Sequence, residues 1–417
     1  MTTIIVSLQK FWIMDQLNEI SSRLISRVNR GFKRRLYHTI NWNDRLIEIQ
    51  GSRGVGKTTL MLQKAGEFAD SGSKTLYVSA DLPYFYKNML FETADEFYKY
   101  GGKYLFIDEV HKYPKKHPDM DWASEIKSIY DSLPDLHVCY SGSSILQLYK
   151  GAGDLSRRKS GYFLNGLSFS EYLRFFHDLP VEPVTLTGLL ENHSGISGEL
   201  SSHIRVLPLF DDYLKYGYYP FFKENPQLYH DKLNEIIQVI LETDIPHVSE
   251  IGYITLFKIK KFLAAIASSV PYTPNLVKIR ADLEITDHRT LLRYLDLIEK
   301  AELIKTLGAQ ATGDKIMNKP HKVYLNNTNL LYAIEPEQAS PGTVRETFFI
   351  NQVSYQYKVS YPEKGDFMVE DKYLFETGGR NKDFRQIAGK DHSYLAVDGV
   401  ETGFGNRVPL WMFGLLY

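Results

Sequence analysis

The segment Gly51–Thr58, with the letters GSRGVGKT, constrains the fold most strongly, because it matches the pattern G-x-x-x-x-G-K-[ST]. It follows the apolar run Leu46–Ile49 and opens an amphipathic stretch from Lys57 to Ala69. A glycine-rich turn between a strand and a helix lets successive backbone N–H groups face phosphate, and the helix adds its positive N-terminal end. The sequence therefore predicts a phosphate-binding loop, the alternative being a glycine-rich turn that contains Lys-Thr by chance.

The residues of this loop have distinct expected roles. We expect Lys57 to reach the β- and γ-phosphates of a nucleotide and Thr58 to ligate Mg²⁺ through its hydroxyl. ATP is predicted rather than GTP because the sequence has no guanine-reading Asn-Lys-x-Asp segment, and Asn381–Asp383 resembles one in letters only. The predicted cofactors are thus ATP and Mg²⁺. The predicted nucleotide-binding residues are Gly51, Ser52, Arg53, Gly54, Val55, Gly56, Lys57, Thr58 and Thr59.

Polar side chains follow two further apolar runs. Asp108 and Glu109 come directly after Tyr104–Ile107, and Ser141 follows Leu136–Tyr140. We expect Asp108 to orient Mg²⁺ and its waters, and Glu109 to act as the general base that activates the attacking water. Ser141 has two open interpretations: a polar contact with the γ-phosphate or the attacking water, or the N-cap of a following helix.

Short apolar runs alternate with amphipathic stretches between Leu46 and Tyr140, which is typical of βαβ units around a parallel sheet. The predicted fold class is therefore α/β, with a five-stranded parallel P-loop sheet. Ahead of it, residues 15–36 are predicted to form a helix whose basic face is solvated or contacts a nucleotide or nucleic acid. Residues 181–205 are rich in Pro, Gly, Ser and His and are predicted to be a linker or loop. A strand is predicted at Leu410–Leu415.

The chain resembles the prokaryotic AAA+-type ATPases in which a P-loop domain is followed by a winged-helix segment and a C-terminal domain related to restriction endonucleases. The matching segments are Gly51–Thr59, Phe106–Pro114, Ser141–Ser144, Leu155–Arg158, Leu167–Leu173 and Gly217–Pro220. The resemblance implies that Arg157 or Arg158 senses or stabilises the γ-phosphate, in the same chain or in a neighbouring subunit of an oligomer. The alternative for both arginines is surface ion pairing.

The same resemblance implies the organisation of the rest of the chain. The expected domains are an N-terminal helical segment (1–40), the P-loop domain (41–180), a helical lid and linker (181–255), a winged helix (256–330) and a restriction-endonuclease-like domain (331–417). In the winged helix the exposed candidates for DNA contact are His288, Arg289 and Arg293, with Lys315, Lys319 and Lys322 in the wing. The neighbouring acids nearly cancel this positive charge, so a protein-docking or lid role competes with DNA binding.

In the last domain, Glu346, Asp366 and Glu376 fall where related nucleases carry their metal-binding acids. The usual lysine two residues beyond the last acid is replaced by Gly378, so a degenerate partner-binding domain is expected, unless Lys382 reaches back to substitute. The predicted function is ATP hydrolysis that switches the arrangement of the C-terminal modules. The alternatives are a nucleotide-gated DNA or protein sensor with little turnover, and an ATP-dependent nuclease.

The composition fits a folded protein in a reducing compartment. The single cysteine, Cys139, excludes an intrachain disulfide and a multi-thiolate zinc site, which favours the cytoplasm. Because Lys+Arg 49 and Asp+Glu 50 balance, no global field attracts the chain to nucleic acid or to an anionic membrane. No run of about 18 uncharged apolar residues is present, so no membrane partner is predicted.

Overall fold

A computed structural model of the chain describes residues 2–114, 121–143, 155–248, 252–268, 280–281, 285, 287–309, 320–334 and 339–417. The chain divides into two compact units, Met1–Asn165 and Gly166–Tyr417. None of the helices within these described ranges is long and apolar enough to cross a membrane.

The first unit is built on a parallel sheet with helices around it. Its strands are β1 (Leu46–Gly51), β2 (Thr75–Ser79), β3 (Tyr104–Asp108), β4 (His137–Ser143) and β5 (Ser160–Phe163). Its helices are α1 (Thr2–Arg27), α2 (Arg35–Thr39), α3 (Lys57–Asp70), α4 (Leu90–Lys99) and α5 (Trp122–Ser132). The strand order is β2-β3-β4-β1-β5, with all pairs parallel. The predicted five-stranded parallel P-loop sheet is confirmed.

This sheet order determines where the functional side chains lie. β1, β3 and β4 are adjacent and parallel, so the residues at their carboxyl ends meet at one edge of the sheet. The strands are apolar on both faces because helices cover them: Ile49, Ile107 and Val138 are all buried. The loop after β1 therefore faces the carboxylates after β3.

The N-terminal helix differs from its prediction at both ends. It spans Thr2–Arg27 rather than residues 15–36, and the Asn29 side chain accepts the Gly31 N–H, a local turn that competes with helix. The following basic residues pair within the chain: Arg30 with Asp70, and Lys33 with Glu67 at 3.0 Å. These two cations are therefore used in intramolecular ion pairs on α3.

The second unit holds nine helices in its described part. They are α6 (Phe169–His177), α7 (Leu186–His203), α8 (Val206–Asp212), α9 (Tyr229–Val239), α10 (Ile245–Val248), α11 (Tyr253–Ser268), α12 (His288–Lys300), α13 (Thr328–Ile334) and α14 (Pro341–Val353). Short 3-10 turns and two π-helical turns, Tyr213–Gly217 and Ile240–Asp244, lie between them.

Two sheets complete this unit. An antiparallel ribbon joins β6 (Ile304–Leu307) and β7 (Lys322–Leu325). A mixed five-stranded sheet has the order β12-β11-β10-β9-β8. Its strands are β8 (Val359–Ser360), β9 (Phe367–Val369), β10 (Tyr373–Gly378), β11 (Ser393–Val397) and β12 (Arg407–Pro409).

Two sequence predictions for this unit are wrong. The expected linker at 181–205 contains helix α7, because Thr185 caps its N-terminus and Leu186, Leu189 and Leu190 bury one helical face. The expected strand Leu410–Leu415 is a buried 3-10 helix. Such a short apolar run does not distinguish a strand from a buried helical segment by periodicity.

Candidate nucleotide-binding site

The loop between β1 and α3 has the backbone that its glycines permit. Gly56 caps α3 with a φ of 101°, a left-handed conformation that side chains with a Cβ rarely adopt. A Cβ at Gly51 would lie 2.3 Å from the Leu164 carbonyl oxygen, which follows β5. The glycine pattern is therefore required by backbone shape and by close packing of the loop against the neighbouring strand.

Lys57 is buried at the start of α3, and its ammonium lies against the loop. Its Nζ donates to the carbonyl oxygens of Gly51 and Ser52, each at 2.9 Å. These bonds hold the positive charge over the concave side of the turn. A bound phosphate would offer the same ammonium a stronger, charge-assisted partner.

The Asp108 carboxylate, buried at the end of β3, accepts four hydrogen bonds. Its Oδ2 accepts from the hydroxyls of Thr58 at 2.6 Å and Tyr77 at 2.7 Å. Its Oδ1 accepts from the Glu109 N–H at 3.0 Å and from the Ser141 hydroxyl. The hydroxyl oxygen of Thr58 and the carboxylate oxygens of Asp108 thus lie close together, and both are hard oxygen ligands for a metal ion. This donor pair fits Mg²⁺, which is held by few protein ligands together with substrate phosphates.

Glu109 has a left-handed backbone, with a φ of 54°. Its Oε2 lies 2.9 Å from Lys112 Nζ and 3.6 Å from His111 Nε2, and 22% of its side chain is exposed. Burial disfavours the charged carboxylate, but the positive charges of His111, Lys57 and Lys112 outweigh it and lower the pKa of Glu109 to about 2. Glu109 is therefore ionised, and it is ion-paired with Lys112.

Ser141 joins the two acids of β3. Its hydroxyl donates to Asp108, and its oxygen lies 3.4 Å from the Glu109 nitrogen as an acceptor. This bond differs from both of the contacts considered from the sequence. Residues 144–154, where a helix capped by Ser141 would begin, lie outside the described part of the chain.

The two candidate arginines have different surroundings. Arg158 forms a two-pronged ion pair with Asp131 on α5, with Nε–Oδ1 and Nη2–Oδ2 distances of 2.9 and 3.1 Å. Arg157 is exposed and has no ion pair with any residue in the described part of the first unit. Surface pairing, one of the two sequence interpretations, thus applies to Arg158.

Sequence reasoning missed two side chains at this site. Arg34 belongs to the basic face that was expected to be solvated or to contact a nucleotide or nucleic acid; it is buried and donates to the carbonyls of Val55 in the loop and Asn165 after β5, both at 2.7 Å. Tyr77 on β2 reaches Asp108. Neither contact has a local sequence signal, although Tyr77 does alternate with the core residues Leu76 and Val78, which places it on the opposite face of β2.

The second predicted cluster, in the C-terminal part of the chain, contains lysines as well as acids. Lys322 Nζ lies 3.0 Å from Glu346 Oε2 and 3.3 Å from Asp366 Oδ1, and Lys382 reaches back to Glu376 at 2.6 Å. The expectation that Lys322 is an exposed wing residue is wrong, because it is buried by these pairs. Lys382 thus reaches back to the last acid, as the sequence left open, and the two ammonium groups leave one of the three carboxylate charges unbalanced. Among the described residues no group of three or more His, Cys, Asp or Glu side chains is arranged to hold a metal ion.

The remaining winged-helix predictions are only partly within the described residues. Asp287 caps α12 by accepting the Thr290 N–H, and His288, Arg289 and Arg293 are exposed on that helix. The sequence also predicts a helix at residues 274–283, ahead of α12; of these only residues 280–281 are described, and they are helical. Lys315 and Lys319 lie outside the described residues.

Comparison with known proteins defines the class of the first unit. Residues 43–173 match the family model of an AAA domain, and residues 207–340 match a domain of unknown function. The first match contains the loop, the β3 acids, Ser141 and both arginines. The chain therefore carries an AAA-type P-loop domain.

The similar solved structures are distant in sequence from this chain. The chain is similar to the Walker-type ATPase of Pyrococcus abyssi, with 13% identity and a TM-score of 0.39, over 74% of this chain and 95% of that one. It is also similar to AMPPCP-bound DnaA from Aquifex aeolicus, with 18% identity and a TM-score of 0.25, over 68% and 86% of the two chains. No curated protein matches the chain.

Proposed function

We propose that the chain binds ATP with Mg²⁺ at the loop 51–59 and hydrolyses it. The observation that supports this most directly is the meeting of Lys57, Thr58, Asp108 and Glu109 at one edge of the parallel sheet. A phosphate-binding ammonium, a hydroxyl and carboxylate suited to Mg²⁺, and an ionised carboxylate are the groups that phosphoanhydride hydrolysis requires.

The chain's own residues divide the proposed chemistry between them. Lys57 exchanges its loop carbonyls for the β- and γ-phosphate oxygens, and the loop N–H groups complete the cradle. Thr58 and Asp108 would hold Mg²⁺, which supplies charge neutralisation on the phosphates. Glu109 is ionised and accepts a proton from the attacking water. Its Oε2 is ion-paired with Lys112, which lowers the basicity of the carboxylate.

That ion pair also favours a second candidate function. A carboxylate paired with Lys112 and His111 is a weak general base, which favours a nucleotide-gated sensor of DNA or protein with little turnover. In this case nucleotide binding, rather than nucleotide hydrolysis, controls whether the chain binds its DNA or protein partner. Tight nucleotide binding with very slow phosphate release and no pre-steady-state burst would favour the sensor.

We also propose that nucleotide state alters the arrangement of the C-terminal modules. The division of the chain into two compact units supports this idea, since the P-loop domain is then attached to a body that folds around its own core. A winged helix that contains α12 and the β6–β7 ribbon is part of this proposal, and its partner would be DNA or protein.

The direct test is steady-state phosphate release by the purified chain with ATP or GTP, with Mg²⁺ or EDTA. We expect release that requires Mg²⁺ and prefers ATP. The same assay with duplex DNA added distinguishes the two candidate functions. Stimulation of phosphate release by DNA would favour the DNA-dependent sensor over an ATPase that acts without DNA. Release that is equal in EDTA and Mg²⁺ would contradict the proposed site.

We expect Arg157→Ala to lower turnover by roughly 1,000-fold with little change in ATP affinity, because an arginine that meets developing charge acts in the transition state. Arg157 is proposed for this role because Arg158 is engaged with Asp131. Turnover and equilibrium nucleotide binding are measured on both single variants. Arg158→Ala is the matched control and should retain turnover.

Equal losses of turnover and affinity in Arg157→Ala would instead indicate ground-state binding. If Arg157 acts on a neighbouring subunit, the turnover per chain of the unaltered protein should rise with protein concentration. Unchanged kinetics in Arg157→Ala would assign this arginine to the surface.

A further inference from the structure

Tyr77 connects an edge strand of the sheet to the proposed magnesium site. It lies in the middle of β2, next to β3 in the parallel sheet, and only 4% of it is exposed. Its hydroxyl donates to Asp108 Oδ2 at 2.7 Å, the same oxygen that accepts the Thr58 hydroxyl. Asp108 is also 2% exposed, so this bond forms away from bulk water.

Two hydrogen bonds fix the position of Tyr77. Its phenol hydroxyl donates to Asp108 Oδ2 at 2.7 Å. Its backbone is fixed too, because the Tyr77 N–H donates to the buried hydroxyl of Ser21 on α1 at 2.9 Å. The backbone and the hydroxyl of Tyr77 are thus both held by hydrogen bonds, and the hydroxyl donates to the carboxylate of Asp108.

The four donors around Asp108 determine how its carboxylate is oriented. A carboxylate has about four lone-pair sites, and all four are matched here, so Mg²⁺ would either replace one of these donors or be held through one of its bound waters. Thr58 and Tyr77 donate to the same oxygen, Oδ2, from two different elements. Thr58 lies in the first turn of α3, and Tyr77 lies on β2. Without the Tyr77 hydroxyl, Oδ2 accepts a hydrogen bond from Thr58 alone. The carboxylate of Asp108 is then less firmly oriented toward Thr58.

We propose that Tyr77 is a positioning residue that holds Asp108 Oδ2 toward Thr58 and so prepares the site for Mg²⁺. This inference rests on the proposed function, since it concerns the same site. Partners that orient a metal-binding carboxylate commonly affect metal affinity as strongly as some ligands do. Tyr77 does not touch the nucleotide in this role, and it acts through Asp108 alone.

The test is Tyr77→Phe, which removes one oxygen atom and keeps the ring. Binding of a fluorescent, non-hydrolysable ATP analogue is titrated in EDTA and over a series of MgCl₂ concentrations. We expect the half-saturating Mg²⁺ concentration to rise roughly tenfold or more, with unchanged analogue affinity in EDTA. 3-Fluorotyrosine at position 77 keeps the donor and should keep the original Mg²⁺ requirement.

Tyr140→Phe is the matched control. Tyr140 is also buried on this sheet, and its hydroxyl donates to the Glu48 carboxylate at 3.1 Å, away from Asp108. It should leave the Mg²⁺ requirement unchanged, and thermal unfolding of both variants reports the cost of losing a buried hydroxyl–carboxylate bond.

Three outcomes would overturn the inference. An unchanged or lower Mg²⁺ requirement in Tyr77→Phe, or an equal loss of affinity in EDTA, would make Tyr77 a packing residue or a competitor of the metal site. If the unaltered chain binds the analogue equally with and without Mg²⁺, the proposed function fails as well. Magnesium-dependent binding that is identical in the unaltered chain and in Tyr77→Phe contradicts the inference alone.

Discussion

Lys57→Ala is expected to abolish ATP binding or to weaken it severely. The ammonium is buried against the Gly51 and Ser52 carbonyls, at the place where the proposed phosphates enter, so its loss removes a charge-assisted contact with the phosphates. Truncating one partner of a buried charge pair costs about 2–5 kcal/mol, which is roughly 30-fold or more in Kd. Equilibrium titration with the fluorescent ATP analogue measures the change directly.

Lys64→Ala provides the control for losing a buried lysine on the same helix. Lys64 lies two turns further along α3 and is paired with Glu67 at 2.6 Å, so its removal takes away charge without touching the loop. We expect this variant to bind the analogue normally. Normal analogue binding by Lys57→Ala in a folded chain would contradict the assignment of the loop as the phosphate site.

Glu109→Gln is expected to keep ATP binding and to lose turnover by roughly 100- to 10,000-fold, the range associated with removing a general base. The amide has the shape of the carboxylate but cannot accept a proton from water. Single-turnover phosphate release and analogue binding on the same preparation separate the two effects. Turnover at the original rate would remove Glu109 from the mechanism.

The depressed pKa of Glu109 adds a pH dependence to this expectation. Because that pKa is about 2 rather than the ordinary 4.5, Glu109 in the free chain stays ionised as the pH falls through 4.5. Lys112→Met removes a positive neighbour and therefore raises this pKa, so the acidic loss of kcat/KM should begin at higher pH in the variant. The kcat/KM profile is the appropriate measurement, because it reports the free enzyme.

How far the sequence predicts the structure depends on the distance over which each contact forms. The loop, the β3 acids and Ser141 follow from short patterns, since a glycine-rich turn and an apolar run before Asp-Glu have the same local meaning in any parallel sheet. Arg34 and Tyr77 reach their partners across 21 and 31 positions, and no periodicity indicates which carbonyl or carboxylate a long side chain will meet.

The predictions that failed have the same origin. Small residues in 181–205 suggested a loop, but the apolar spacing around Leu186 and Leu189 and a threonine cap form a helix. Lys322 is predicted to be a DNA-contact candidate in the wing, and no local pattern indicates its ion pair with Glu346, which is 24 positions away. Composition indicates where a chain can bend, whereas tertiary partners decide which polar groups become buried.

The Arg34 guanidinium has a mechanical consequence. Its Nη1 donates to the Val55 carbonyl of the loop, and its Nη2 donates to the Asn165 carbonyl. These partners lie 21 and 131 positions away along the chain. Arg34 precedes α2 and the first strand of the sheet, which begins at Leu46, and Asn165 follows the strand β5, which ends at Phe163. Arg34 therefore links the connections before and after the sheet, and it also holds the turn that would cradle phosphate. Tension applied to either connection would reach the cradle through two short hydrogen bonds, without passing through the body of the sheet.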